Sequence, residues 1–306
     1  MKRINFFIII LIMTTFSLHA AFIEHPDIDA RGESVGSAVV TLGSDGNSVN
    51  NNPALLGTVD LISLTVTGSP LSLGVEDSSL INCLLAHGVV PFKGAGALGI
   101  SANLLLVHAE IEGISKNLYN EYEFSLAYGY AINSSFQVGL TAKLQTWSIG
   151  KDLGAEFDDI DAPLTFNANI GAIFKPIPEL SIGLAGINLI GMKINSKSST
   201  SAKENVPRSV KAGVGYISPI INVAGDVEFV FDTTDFNIYV GTEKNFFANL
   251  FRVGAGIKLL NISDGVVPTA GFGITLKMFK VDYAFSYPIS SIAPYGNHKL
   301  TAGVRF

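Results

Sequence analysis

This sequence predicts an all-β fold: a transmembrane antiparallel β-barrel of about 14 strands with an N-terminal lumenal hatch. Three observations lead there. Of 306 residues, 48% are hydrophobic and only 15% charged, and mean hydropathy is +0.39. An ordinary soluble protein carries about a quarter charged residues, so much of this surface does not face water. After the N-terminus no run of about 20 apolar residues offers a membrane helix. Instead, apolar residues alternate with polar or small ones, the period of a strand with two different faces. Third, the links between these segments alternate short and long, like the periplasmic turns and extracellular loops of outer-membrane barrels. Period two also fits a soluble sandwich, but the export signal and the loop alternation argue against it.

The elements follow in chain order. Lys2 and Arg3 precede the apolar stretch Ile4 to Met13, and Leu18, His19 and Ala20 follow. That is a charged region, a hydrophobic region and a cleavage site, so residues 1–20 read as a secretory signal removed on export. Residues 21–57 are rich in Gly, Ser and Asn without membrane alternation, and form a separate hatch or plug. Within it Asn52 caps, Pro53 starts and Gly57 ends a single helical turn.

Residues 58–306 form the barrel, with strands expected near 58–68, 81–91, 95–108, 120–132, 136–149, 164–175, 180–189, 206–218, 221–231, 236–246, 250–260, 268–278, 280–288 and 297–306. From 136 to 145 the alternation is unbroken: Phe136, Val138, Leu140, Ala142 and Leu144 face lipid, and Gln137, Gly139, Thr141, Lys143 and Gln145 face the lumen. Phe136, Phe174, Tyr216 and Phe251 are expected in a periplasmic aromatic girdle, and Trp147, Phe166, Phe231, Phe236 and Tyr287 in an outer one. The last strand ends on the aromatic Phe306, which resembles the C-terminal signal read by barrel-assembly machinery.

The chemistry-bearing residues point to a wall rather than to catalysis. A net charge of -6 with scattered basic residues gives no nucleic-acid footprint. His25, His87, His108 and His298 are dispersed without metal-ligand spacing, and Glu156, Asp158, Asp159 and Asp161 form a solvated acidic loop rather than a calcium loop. No cofactor, metal or enzyme activity is expected. Gly-rich strings such as Gly254 to Gly256 and Gly271 to Gly273 lie within strands and have no helix after them, so they read as lumenal or packing glycines. Lys211, Asp226, Glu228, Glu243, Arg252 and Lys258 fall on the lumenal parity of neighbouring strands, which allows a cross-strand ion network. Such a network either holds the wall together or lines a path for a solute.

Gly36, Ser37 and Ala38, then Leu42, Gly43, Ser44, Asp45 and Ser48, then Asn51, Asn52, Pro53 and Ala54 resemble the N-terminal signature of the FadL-like outer-membrane barrels, the long-chain fatty acid transporter superfamily. The run Asn52-Pro53-Ala54-Leu55-Leu56 is most similar to the PorV/PorQ-type branch. The resemblance implies a lumenal hatch with Asn52, Pro53 and Ala54 in its turn, and a channel in the bacterial outer membrane for small hydrophobic molecules. The outer loops here are modest and polar, without the apolar helical pair that gathers lipid in that family. The PorV-type branch implies the alternative, a non-transporting barrel that serves protein secretion as an accessory or by holding cargo. Expected partners are outer-membrane lipid, the barrel-assembly machinery, and either hydrophobic small molecules or secretion-system proteins.

Overall fold

In the computed structural model, fourteen antiparallel strands close into a single barrel. The residues described are 28–43, 45–71, 80–111, 114–149, 160–161, 164–190, 193–195, 203–261, 265–289 and 295–306. Residues 1–20, expected to be a signal, and residues Glu156, Asp158 and Asp159 lie outside them. The barrel strands are β1 (Ser63–Leu71), β2 (Leu80–Pro91), β3 (Ala97–Ile111), β4 (Ile114–Ala131), β5 (Phe136–Ile149), β6 (Thr165–Ile177), β7 (Leu180–Ile187), β8 (Ser209–Ile217), β9 (Asn222–Val230), β10 (Phe236–Phe246), β11 (Phe251–Leu260), β12 (Gly265–Leu276), β13 (Phe279–Ser286) and β14 (Asn297–Arg305). Each pairs with the next, and β1 pairs with β14 from Ser63 opposite Arg305 to Gly68 opposite Leu300, so no edge is left open. Among the described residues no helix is long and apolar enough to cross a membrane.

The alternation of the sequence becomes the two faces of the wall. Leu140, Leu144, Ile170, Val214 and Val240 stand exposed on the outside, while Thr141, Lys143, Gln145, Asn167 and Asn169 are buried within. Closed pairing satisfies the backbone that lipid cannot.

Three expectations need correction. The first strand begins at Ser63 rather than 58, because Pro53–Thr58 form a 3-10 helix whose cap is Asn52. β4 begins at Ile114, since the hairpin continues from Val107 to Ile111 past a register shift, through residues expected to be loop. Trp147 does not join the outer girdle: it shares the lumenal parity of Lys143 and Gln145, is 4% exposed, and its ring lies 6.3 Å from that of Tyr119. Phe136, Phe166, Phe174, Tyr216, Phe231, Phe236, Tyr287 and Phe306 do stand exposed.

Residues 28–43 and 45–58 fold inside the lumen. The helix α1 (Ala30–Ser34) is capped by Asp29, whose Oδ1 accepts from Gly32 N at 2.8 Å, and packs against β11 to β14. The short helix α2 (Ser48–Asn51) and the 3-10 helix pack against β3 to β6. The hatch therefore has two halves, seated on opposite stretches of wall.

Candidate functional site: the hatch and its seat

The seat of the second half is made by the absence of side chains. Gly129 of β4, Gly139 of β5 and Gly171 of β6 stand directly opposite one another across three strands. A Cβ added at Gly129 would lie 2.3 Å from Pro53 O, one at Gly139 would lie 2.3 Å from Pro53 C, and one at Gly171 would lie 2.0 Å from Asn52 Oδ1. Any side chain there would expel the turn. Asn52, fully buried, accepts from Ala54 N at 3.2 Å and donates from Nδ2 to Val40 O at 2.8 Å. It thereby caps its own turn and ties the two halves of the hatch together. Around it Thr141 Oγ1 donates to Val49 O at 2.6 Å and Asn169 Nδ2 to Asn50 O at 2.8 Å. Ala54 and Leu55 pack on Ile173.

The first half is held by charge. Arg31 Nη2 lies 2.7 Å from Glu243 Oε1, and Glu243 Oε2 lies 3.1 Å from Arg252 Nη1. Arg252 Nη2 lies 2.7 Å from Asp282 Oδ1, and Lys280 Nζ lies 2.9 Å from Asp282 Oδ2. Lys280 Nζ and Arg31 Nη1 each lie 3.6 Å from Asp45 Oδ2. The six groups form a closed ring of alternating sign, two of them on the hatch and four on the wall. Each charge has an opposite on both sides, which offsets the penalty of burying it. For Asp45, burial acts to raise the pKa, but Lys280 and Arg31 override it and the carboxyl sits below its ordinary value.

A second clamp holds Glu33, whose Oε1 lies 2.6 Å from Lys258 Nζ and whose Oε2 lies 3.4 Å from Lys299 Nζ. Burial raises the Glu33 pKa, yet the two lysines outweigh it and bring it down to about 2. Lys299 also donates to Ile28 O at 2.8 Å.

The six lumenal charges anticipated from strand parity do not make one network among themselves. Lys211 pairs with Glu228 at 3.5 Å, and Glu228 also accepts from Ser209 and Tyr239 at 2.7 Å each. Glu243 and Arg252 enter the ring, and Lys258 turns to the hatch. Asp226 accepts from Val40 N at 2.8 Å, the hatch backbone again. The residues that complete these contacts, Arg31, Glu33, Asp45 and Lys280, were missed by the parity reading. Lys280 was legible as the neighbour of Asp282 on one face; the hatch charges carried no period to read. Among the described residues no group of three or more His, Cys, Asp or Glu is placed to hold a metal.

A cavity of about 10 Å³ lies between the hatch residues Asp29, Arg31, Val35, Val39, Leu42 and Asp45, among others, room for about one water. On the lipid side, an open groove of about 460 Å³ runs between Tyr128, Tyr130, Val138, Gly139 and Leu140. Only the wall backbone at Gly139 separates this groove from Pro53.

The family described as type IX secretion system membrane protein PorP/SprF matches residues 45–304, from Asp45 of the hatch through nearly the whole of the last strand. The chain belongs to the PorP/SprF family. It is therefore a bacterial outer-membrane β-barrel. The resemblance carried by Asn52-Pro53-Ala54-Leu55-Leu56 pointed to the PorV/PorQ branch, whereas the branch that matches is PorP/SprF. The fold is that of the FadL-like barrels. A FadL homologue of Pseudomonas aeruginosa superposes with a TM-score of 0.61 at 12% identity, covering 90% of this chain and 95% of that one. The Ralstonia pickettii toluene transporter TbuX gives 0.60 at 12% identity, covering 91% and 97%. The CymD monoaromatic hydrocarbon channel gives 0.64 at 11% identity, covering 89% and 96%. No curated protein matches in sequence. For this PorP/SprF barrel, identities this low speak for the fold alone.

Proposed function

We propose that this PorP/SprF barrel acts in type IX secretion as a sealed outer-membrane component, which passes no solute and serves as an accessory or cargo-holding partner of the secretion machinery. The observation that carries this reading is the closed ring from Arg31 through Glu243, Arg252, Asp282 and Lys280 to Asp45, because opening the hatch would leave several buried charges without partners. The packing of the hatch helices on the wall and the family description support it. The test is deletion of the gene followed by assay of secreted proteins at the cell surface. Cargo should stay unreleased or unanchored; normal surface proteins in the deletion strain sink the reading.

One observation favours a second reading, uptake of small hydrophobic molecules with the hatch as gate. The lipid-side groove lies behind Gly139, whose backbone packs on the Pro53 turn, where a solute leaving sideways would cross the wall beside the hatch. That reading requires uptake of labelled fatty acid to depend on the protein and to change when Asn52 or Pro53 is substituted.

A further inference from the structure

One buried carboxyl beside the ring has no place in it. Arg31, Arg252 and Lys280 balance Glu243, Asp282 and Asp45, so the ring is neutral as it stands. Asp29 is 2% exposed at its edge, and among the described residues it makes no direct ion pair. Its Oδ1 accepts from Gly32 N at 2.8 Å as the cap of α1, and its N–H donates to Asn47 Oδ1 at 3.2 Å. Asn47 N in turn donates to Asp45 Oδ1 at 3.2 Å, so one asparagine holds the two carboxyls side by side. An ionised Asp29 would leave the ring one negative charge in excess, which a buried, low-dielectric site penalises.

The cations nearest Asp29 are engaged elsewhere. Arg31 of α1 is held by Glu243 at 2.7 Å, Lys280 of β13 by Asp282 at 2.9 Å, and Lys299 of β14 by Ile28 O at 2.8 Å and by Glu33 at 3.4 Å. Asp45 and Asp282 are of like sign, and His87 of β2 packs on Gly46, beside Asp45. Burial first, and the Asp45 carboxylate second, raise the Asp29 pKa above its ordinary 3.8, and Lys280 counters them only in part. The longest links of the ring lie here as well: Arg31 and Lys280 each stand 3.6 Å from Asp45, against 2.7 to 3.1 Å in the other four. The cavity of about 10 Å³ that Asp29, Arg31, Asp45 and Asn47 line has room for about one water to exchange a proton.

We infer that the hatch latch is proton-linked: Asp29 keeps its proton while the ring is closed, and losing that proton to water draws Arg31 and Lys280 away from Asp45 and loosens the first half of the hatch. This rests on the ring as the latch of the sealed barrel and not on the secretion role. Because the closed hatch binds the proton more tightly than the open one, closure is favoured at low pH and weakens as pH rises through the raised Asp29 value, the opposite sign to Glu33.

The test uses the full barrel in lipid vesicles, with folding confirmed by heat-modifiable gel mobility. Cleavage between residues 28 and 47 by a broad-range protease, normalised to the unfolded chain, is followed from mildly acidic to mildly alkaline buffer. In the wild type it should rise by up to about tenfold per pH unit, the slope of one proton. Asp29→Asn and Asp29→Ser each keep a helix cap without the charge, and should stay as resistant at every pH as the wild type is in acid. A wild type whose cleavage does not rise with pH, or variants that open with pH as it does or are looser than it throughout, overturn the proposal. If Glu243→Ala still loosens the hatch in that case, the latch stands and only its proton link falls; if it does not, the latch falls with it.

Discussion

Arg252 and Asp282 meet at 2.7 Å across an intervening strand. Between them stands Gly273 of β12, opposite Arg252 on one side and Asp282 on the other. A Cβ at Gly273 would lie 2.0 Å from Asp282 Oδ1 and 3.2 Å from Arg252 Nη2, so the absence of a side chain there is what allows a charge pair to form over two strand spacings.

Gly273→Val is accordingly expected to break the pair, leaving Arg252 with Glu243 and Asp282 with Lys280, a loss of about 1–3 kcal/mol from the inserted side chain. The measurement is the urea midpoint of the barrel in lipid vesicles, with Gly225→Ala as comparison. A Cβ at Gly225 meets nothing closer than Tyr239 O at 3.9 Å, so its midpoint should move within about 0.5 kcal/mol.

Glu243→Ala removes the one carboxylate that joins Arg31 of the hatch to Arg252 of the wall. It should loosen the first half of the hatch while the second half stays in its glycine seat. In planar bilayers the variant should show ion conductance that the parent lacks, and proteolysis should cut between residues 28 and 47 first. A variant as silent and as resistant as the parent would show that the ring is not the latch.

Gly139→Val presses a side chain onto Pro53, where a Cβ already lies 2.3 Å from backbone that cannot swing aside. The expected outcome is a barrel that assembles poorly or assembles with residues 48–58 displaced, read as protease cleavage within that segment.

Acid should also act on the hatch through Glu33, whose pKa is lowered to about 2 from an ordinary 4.5. Because the folded value lies below the unfolded one, its stabilisation is fully present above pH 4.5 and is lost as pH falls toward 2. The contribution is about 3 kcal/mol at neutral pH. Hatch protection from proteolysis by an acid-active protease should decline across that window, and Glu33→Gln should remove that part of the decline. A decline unchanged in Glu33→Gln would assign it to other carboxylates.

The barrel was legible because a membrane wall imposes one rule at every position: Phe136 to Gln145 alternate without a fault, and the structure keeps that parity. The errors came where residue type overrode parity. Trp147 looks like a girdle residue, yet it sits an even number of positions from Lys143 and Gln145 and turns inward with them. Ile114 to Tyr119 include Ser115, Lys116 and Asn117, polar enough to resemble a loop, and only pairing with Val107 to Ile111 makes them strand. The hatch turn could be read from Asn52 and Pro53 because capping is local. The ring could not: Arg31 and Glu243 are 212 residues apart, and nothing local couples them. The glycines were visible as glycines, but their purpose depends on the register that aligns Gly129, Gly139 and Gly171.

A sealed lumen passes no hydrophobic solute, and uptake of labelled long-chain fatty acid measures that passage. A strain expressing the wild-type barrel is compared with the same strain carrying an empty vector. With a sealed lumen, uptake is equal in the two strains. Uptake that rises with the wild-type protein, and falls again when Asn52 or Pro53 is substituted, would contradict it.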